Sequence, residues 1–144
     1  MPVNFHFQDV DSELSNSKAL EAYIIQLFNN EGIKAQNIDY IFCTDDFLLS
    51  LNKKYLNHDT YTDILTFDLS EKPKEMIAEI YISVERVSEN ANLFKKSFEN
   101  ELHRVIFHGA LHLCGYNDHS AEDKKEMRVQ ENKHLLNYLE KKEN

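Results

Sequence analysis

Apolar and polar side chains alternate from Val3 to Gln8, the two-residue period of a half-buried strand. From Ser17 to Glu31 the apolar positions are 20, 23, 24, 27 and 28, which is the 3.6-residue period of an amphipathic helix. Gly32 follows where a glycine ends a helix. Ile38 to Cys43 is a short β-rich run. Thr44-Asp45-Asp46 then supplies a capping hydroxyl and an acidic first turn for a helix to about Leu56. Asn57 to Asp63 is polar and without period. Ile64–Leu69 and Ile77–Val84 read as strands, separated by a charged turn around Pro73. Helices are predicted at about 85–95 and 98–114. Ser120-Ala121-Glu122-Asp123 resembles a capping box, with Asp in place of Glu, and opens a last helix to about Tyr138. The charged tail Glu140 to Asn144 is expected to fray.

Four strands and about five helices in mixed order exclude strict βα alternation, and with it a doubly wound parallel sheet. The expectation is one α+β domain over residues 1–144, with one mixed four-stranded sheet packed against about five helices. Apolar residues make up 42% of the chain, enough for one core and too many for a disordered polymer. No apolar run approaches the roughly 18 residues of a membrane-spanning helix. The first residues have neither a basic nor an apolar stretch of a secretory signal. Cys43 and Cys114 make no disulfide framework, so a reducing cytoplasm is expected.

The 144 residues carry 16 basic and 25 acidic side chains, a net charge of −9. Bulk charge therefore argues against non-specific binding of nucleic acid. Only three glycines are present, and two of them, Gly109 and Gly115, stand inside a histidine cluster.

That cluster is His108-Gly109-Ala110-Leu111-His112-Leu113-Cys114-Gly115-Tyr116-Asn117-Asp118-His119. His108 and His112 are i, i+4 and share one helix face, close enough for one metal ion. Gly115 ends the helix, and the turn returns Asp118 or His119 toward the same point. Two helical ligands and one loop ligand leave an open coordination position, as in catalytic sites. Against this stands a helix surface that merely carries two histidines. Cys114, between Leu113 and Gly115, is expected to pack. His103 falls about 140° off the ligand face and is assigned no chemistry. In the H-E-x-x-H peptidases a glutamate follows the first histidine; here Gly109 stands there, so the chain is no ordinary zincin peptidase and any base comes from elsewhere.

The segment His108-Gly109-x-Leu111-His112-Leu113-x-Gly115-Tyr116 resembles the signature of the YbeY family, H-G-x-L-H-L-x-G-Y-D-H. Leu51-Asn52-x-x-Tyr55 and Asp59-x-x-Thr62-Asp63-Ile64-Leu65-Thr66-Phe67 resemble its L-N-x-x-Y-R-x-K-D-x-x-T-D-V-L-S-F block, and Glu79-Ile80-x-Ile82-Ser83 its G-D-I-x-I-S strand. The likeness covers about residues 48–135. It implies a compact α+β fold with a zincin-like metal helix and one divalent ion, Zn2+, in a cleft. It also implies a cytoplasmic endoribonuclease acting on single-stranded rRNA, with ribosomal particles and ribosomal or assembly proteins as partners and no membrane.

Three departures bear on the site. The family's third histidine falls on Asp118, and a histidine comes one place later, at His119. Spacing to the stretch Glu126–Glu131 favours Asp118 as the third ligand, with His119 as the alternative. The family's arginine is Leu56 and its lysine is His58, so a fork of N–H donors is lost. The strand's Gly-Asp is Ala78-Glu79. The metal ligands expected are thus His108, His112 and Asp118. Candidates for acid–base chemistry are His119, Glu79, Asp63 and His58, and Arg104, one turn before His108, is the candidate substrate contact, set against an ion pair with Glu101. Two other readings stay open: a metal-dependent hydrolase of another substrate, and a non-catalytic ribosome assembly factor with a structural metal.

Overall fold

A computed structural model describes residues 2–11, 14–57 and 62–143; His58 lies outside them. The elements are β1 (Val3–Phe7), α1 (Ser17–Asn30), β2 (Lys34–Cys43), α2 (Asp45–Leu56), β3 (Ile64–Asp68), β4 (Glu75–Ser83), α3 (Val84–Leu93), α4 (Phe98–Leu113) and α5 (Ala121–Glu143). The strands form one sheet in the order β1-β2-β4-β3. β1 and β2 are parallel, as are β2 and β4, while β3 runs antiparallel on β4. This is the single mixed sheet expected from the order of elements.

The caps at Thr44 and Ser120 are those the sequence indicates, and Ser97 adds one at the start of α4. The hydroxyls of Thr44 and Ser97 accept hydrogen bonds from the backbone N–H groups of Phe47 and Asn100 at 3.1 and 3.0 Å. At α5 the box is reciprocal: Ser120 Oγ accepts from Asp123 N–H at 3.0 Å, and the Asp123 carboxylate accepts from Ser120 N–H at 3.4 Å. The largest boundary changes are at β2 and α5, and β4 runs Glu75–Ser83 rather than Ile77–Val84. β2 starts at Lys34 rather than Ile38, because its N-terminal half pairs with Glu75 and Met76 of β4 across a bulge. α5 continues to Glu143, since its terminal Lys and Glu residues are good helix formers.

Strand alternation sends Ile38, Tyr40 and Phe42 of β2 and Met76, Ala78, Ile80 and Ile82 of β4 to one face of the sheet. α1 and α4 cover that face with Leu20, Ile24, Leu27 and Phe28 and with Leu102, Val105, Ile106 and Ala110. The other face carries a smaller cluster in which Leu48 of α2 meets Cys43 and Leu65. Among the described residues no helix is long and apolar enough to cross a membrane.

Two features of this packing position the histidine helix. β3 is an edge strand, so one side of it stays unpaired beside α4. α4 also lies unusually close to the sheet at Gly109. A Cβ there would stand 2.9 Å from Ile64 Cδ1 and 3.1 Å from Ile80 Cγ2. Away from the sheet, Tyr23, His103, Phe107, His134 and Tyr138 form an aromatic group joining α1, α4 and α5. The Tyr23 hydroxyl and His134 Nδ1 are 2.6 Å apart, and burial, with Lys133 adding to it, holds the His134 imidazole down at a pKa of about 4.

Replacing Gly109 by Ala would gain about 1 kcal/mol of helix propensity but cost about 1–3 kcal/mol of overpacking. Net destabilisation of up to about 2 kcal/mol is expected, read from the urea midpoint. His134 is neutral in the folded protein and titrates at about 6.5 in the unfolded chain. Its stabilising contribution is complete above pH 6.5 and is lost as the pH falls toward 4, because the unfolded state then takes up a proton that the folded state refuses. The loss amounts to about 3 kcal/mol. Urea unfolding of the protein and of His134→Phe at pH 7 and pH 4.5 measures it as the part of the pH dependence absent from the variant.

Candidate active site

The helical period of α4 puts Arg104, His108 and His112 on the face turned to the free edge of β3. The helix ends in a Schellman turn. Gly115, at φ +105°, donates its N–H to His112 O at 3.0 Å, and Tyr116 N–H reaches Leu111 O at 3.1 Å. This reversal is why glycine stands at 115, and it carries the chain back along the helix. Asp118 Oδ2 then lies 3.7 Å from His108 Nε2. A cavity of about 470 Å³ opens here, walled by Arg104, His108, His112, Asp118, Asp63 and the β3 edge.

His108, His112, Asp118, Asp63 and Arg104 thus share one cavity. Leu56 also lines it, at the position where the family resemblance implies an arginine. Glu79 is not brought to it, a correction to the expectation. Its neighbour Ile80 points at Gly109, so alternation turns Glu79 to the opposite face, where it accepts a hydrogen bond from the Tyr81 hydroxyl at 3.0 Å. His119 is exposed and is not among the lining residues; the turn that returns Asp118 leaves its successor facing solvent.

Behind the cavity wall lies a buried ionic network. Arg104 donates from Nε to Glu101 Oε1 at 2.9 Å, from one terminal nitrogen to Glu101 Oε2, and from the other to Glu131 Oε1 at 2.9 Å. The second oxygen of Glu131 lies 2.6 Å from His108 Nδ1. Both glutamates are almost wholly buried, at 1% and 2% exposure. Burial by itself would raise the Glu131 carboxyl, but His108 and Arg104 together hold it below its ordinary value. At Asp63 burial prevails and pushes the carboxyl up, against the pull of His108 and Arg104. Two buried carboxylates on one buried guanidinium leave the network one negative charge in excess, and Asp63 and Asp118 add to the negative field. Arg128 stands 3.8 Å from Glu131 Oε1 but is exposed, so solvent screens its charge.

Sequence reasoning passed over Glu131 and treated Glu101 only as an ion-pair partner. A signal was present: Met127, Glu131, His134 and Tyr138 recur at helical spacing, so Glu131 sits on the inward stripe of α5 among buried residues. A charge on an apolar stripe marks a partner across the helix interface.

Two imidazoles and a carboxylate suit a borderline divalent ion such as zinc. Two donors at about 2.0–2.1 Å from a tetrahedral ion stand about 3.3 Å apart. The 3.7 Å between His108 Nε2 and Asp118 Oδ2 is near that value. Among the described residues, no three His, Cys, Asp or Glu side chains are drawn together as a metal-holding group.

The family model described as Endoribonuclease YbeY matches residues 4–139, and the chain belongs to that family. It is 41% identical over 134 residues to the Endoribonuclease YbeY of Amoebophilus asiaticus, covering 93% of this chain and 91% of that one. It is 43% identical over 133 residues to that of Flavobacterium psychrophilum, covering 92% and 94%. Among solved structures, the solution structure of TM1509 from Thermotoga maritima superposes with a TM-score of 0.60 at 28% identity, covering 96% of this chain and 90% of that one.

Arg104→Met removes the buried guanidinium that both glutamates contact. It is expected to cost about 3–5 kcal/mol, measured by urea denaturation at pH 7, and Arg104→Lys to recover part of the loss.

Proposed function

We propose that this protein is an endoribonuclease that cleaves phosphodiester bonds of single-stranded RNA during rRNA maturation. The observation that carries the reading is the lining of one cavity by His108, His112 and Asp118 in a member of the Endoribonuclease YbeY family. His108, His112 and Asp118 would hold one divalent ion, zinc by the character of the donors. When bound, such an ion supplies positive charge for a phosphoryl oxygen and acidity for a water molecule.

Charge supports a cation at this place. Asp63, Asp118 and the excess charge of the Glu101–Arg104–Glu131 network would repel a phosphate, and Leu56 offers it no donor. Arg104 gives Glu101 and Glu131 three of its five N–H groups, so it braces the wall rather than clamping substrate. Of the candidate bases, Asp63 lines the cavity and is the residue positioned to accept a proton there. With a net charge of −9, affinity for free RNA is low, and a ribosomal particle in the cytoplasm presents the strand.

The missing donor at Leu56 favours one second reading, a ribosome assembly factor whose metal is structural. Cleavage of a single-stranded RNA oligonucleotide by the purified protein, with chelator and with zinc restored, separates the two. Cleavage is expected to stop with chelator, to return with zinc, and to fall at least about 100-fold in His112→Ala, which also loses its bound metal. Stoichiometric zinc retained by His112→Ala would overturn the ligand assignment. Absence of cleavage by the zinc-loaded protein, with ribosome co-sedimentation that survives His112→Ala, would establish the second reading.

A further inference from the structure

We infer that Glu131 is the positioning residue of this cavity: its buried carboxylate holds His108 in the tautomer that leaves the Nε2 lone pair turned to the cavity. A carboxylate only accepts hydrogen bonds, so the 2.6 Å contact with Nδ1 requires the proton to be on Nδ1. A neutral imidazole has one N–H, so Nε2 is then unprotonated. Nε2 lies on the Asp118 side, at 3.7 Å from Oδ2, beyond hydrogen-bonding distance.

Glu131 is itself immobilised. Its other oxygen accepts from Arg104 at 2.9 Å, and Arg104 is held by both oxygens of Glu101. Glu101, Arg104 and His108 rise along α4, whereas Glu131 comes from α5. The carboxylate therefore ties the imidazole to a second helix and fixes its rotation. Packing alone does not ask for a charge on this stripe, since an apolar side chain of similar volume would fill it without the desolvation cost. The geometry assigns the charge to orientation.

The consequence for metal affinity rests on the reading of His108 as a ligand; the tautomer does not. The test keeps them apart. In metal-free protein at pH 8, nitrogen-15 NMR of the His108 ring is expected to show Nδ1 protonated and Nε2 bare. The Nε2–H form as the major species would overturn the proposal. Zinc affinity, measured by competition with a chelating dye, is expected to fall about 10- to 100-fold in Glu131→Gln. It is expected to stay within about 3-fold in Glu101→Gln, which loosens Arg104 without touching His108. A folded Glu131→Gln with wild-type zinc affinity and an unchanged tautomer would also overturn it. If Glu131→Gln does not fold, the wild-type tautomer decides. If the wild type binds no zinc, the ligand reading fails, and the tautomers of wild type and Glu131→Gln still decide the role of Glu131.

Discussion

The contact on which the site depends is the buried clamp of Glu101 and Glu131 on Arg104, extended to His108. It joins α4 to α5 by charge at a place where the rest of the interface is aromatic and aliphatic. Buried charges are stable only when each has a partner of good geometry. Here each charged group has such partners, and the two carboxylates on one guanidinium leave a negative field beside His108. The same atoms that hold two helices together therefore also set the charge of the cavity wall. Stability and chemistry share one network.

Around that clamp the sheet imposes a second constraint. Since β3 is an edge strand, its free side can border a cavity that a central strand would fill. α4 approaches this edge because Gly109 has no Cβ, and it stops where Gly115 adopts a left-handed conformation. His108 immediately precedes the first of these glycines, and His112 lies between the two. Each glycine thus has its own mechanical task, close approach in one case and chain reversal in the other.

The departures from the family pattern acquire physical meaning beside this network. Leu56 stands on the cavity wall and removes a possible donor to phosphate, while Arg104 remains nearby but is committed to glutamates. The cavity is acidic for a site that meets RNA. Bulk electrostatics thus opposes recognition of RNA on both the global and the local scale.

Most of the architecture was legible in the residues. Alternation at Val3–Gln8, the 3.6-residue stripe of α1 and the caps at Thr44 and Ser120 are local signals, set by side-chain geometry within a few positions. The i, i+4 histidines and the Gly115 turn were legible for the same reason. Glu79 was misread as a candidate because a strand's choice of face depends on which side α4 covers. Glu131 was overlooked because its partners, Arg104 and His108, are distant in sequence and meet it only across a helix interface. By itself the sequence determined the elements, the mixed α+β order and the histidine pair, since these follow from short-range periodicity. Only the tertiary structure decided that Asp118 rather than His119 turns to the cavity, that Glu79 turns away, and that a buried glutamate stands behind His108. Those outcomes depend on long-range packing, where a rotation of one residue along a helix or strand sends a side chain to the opposite side.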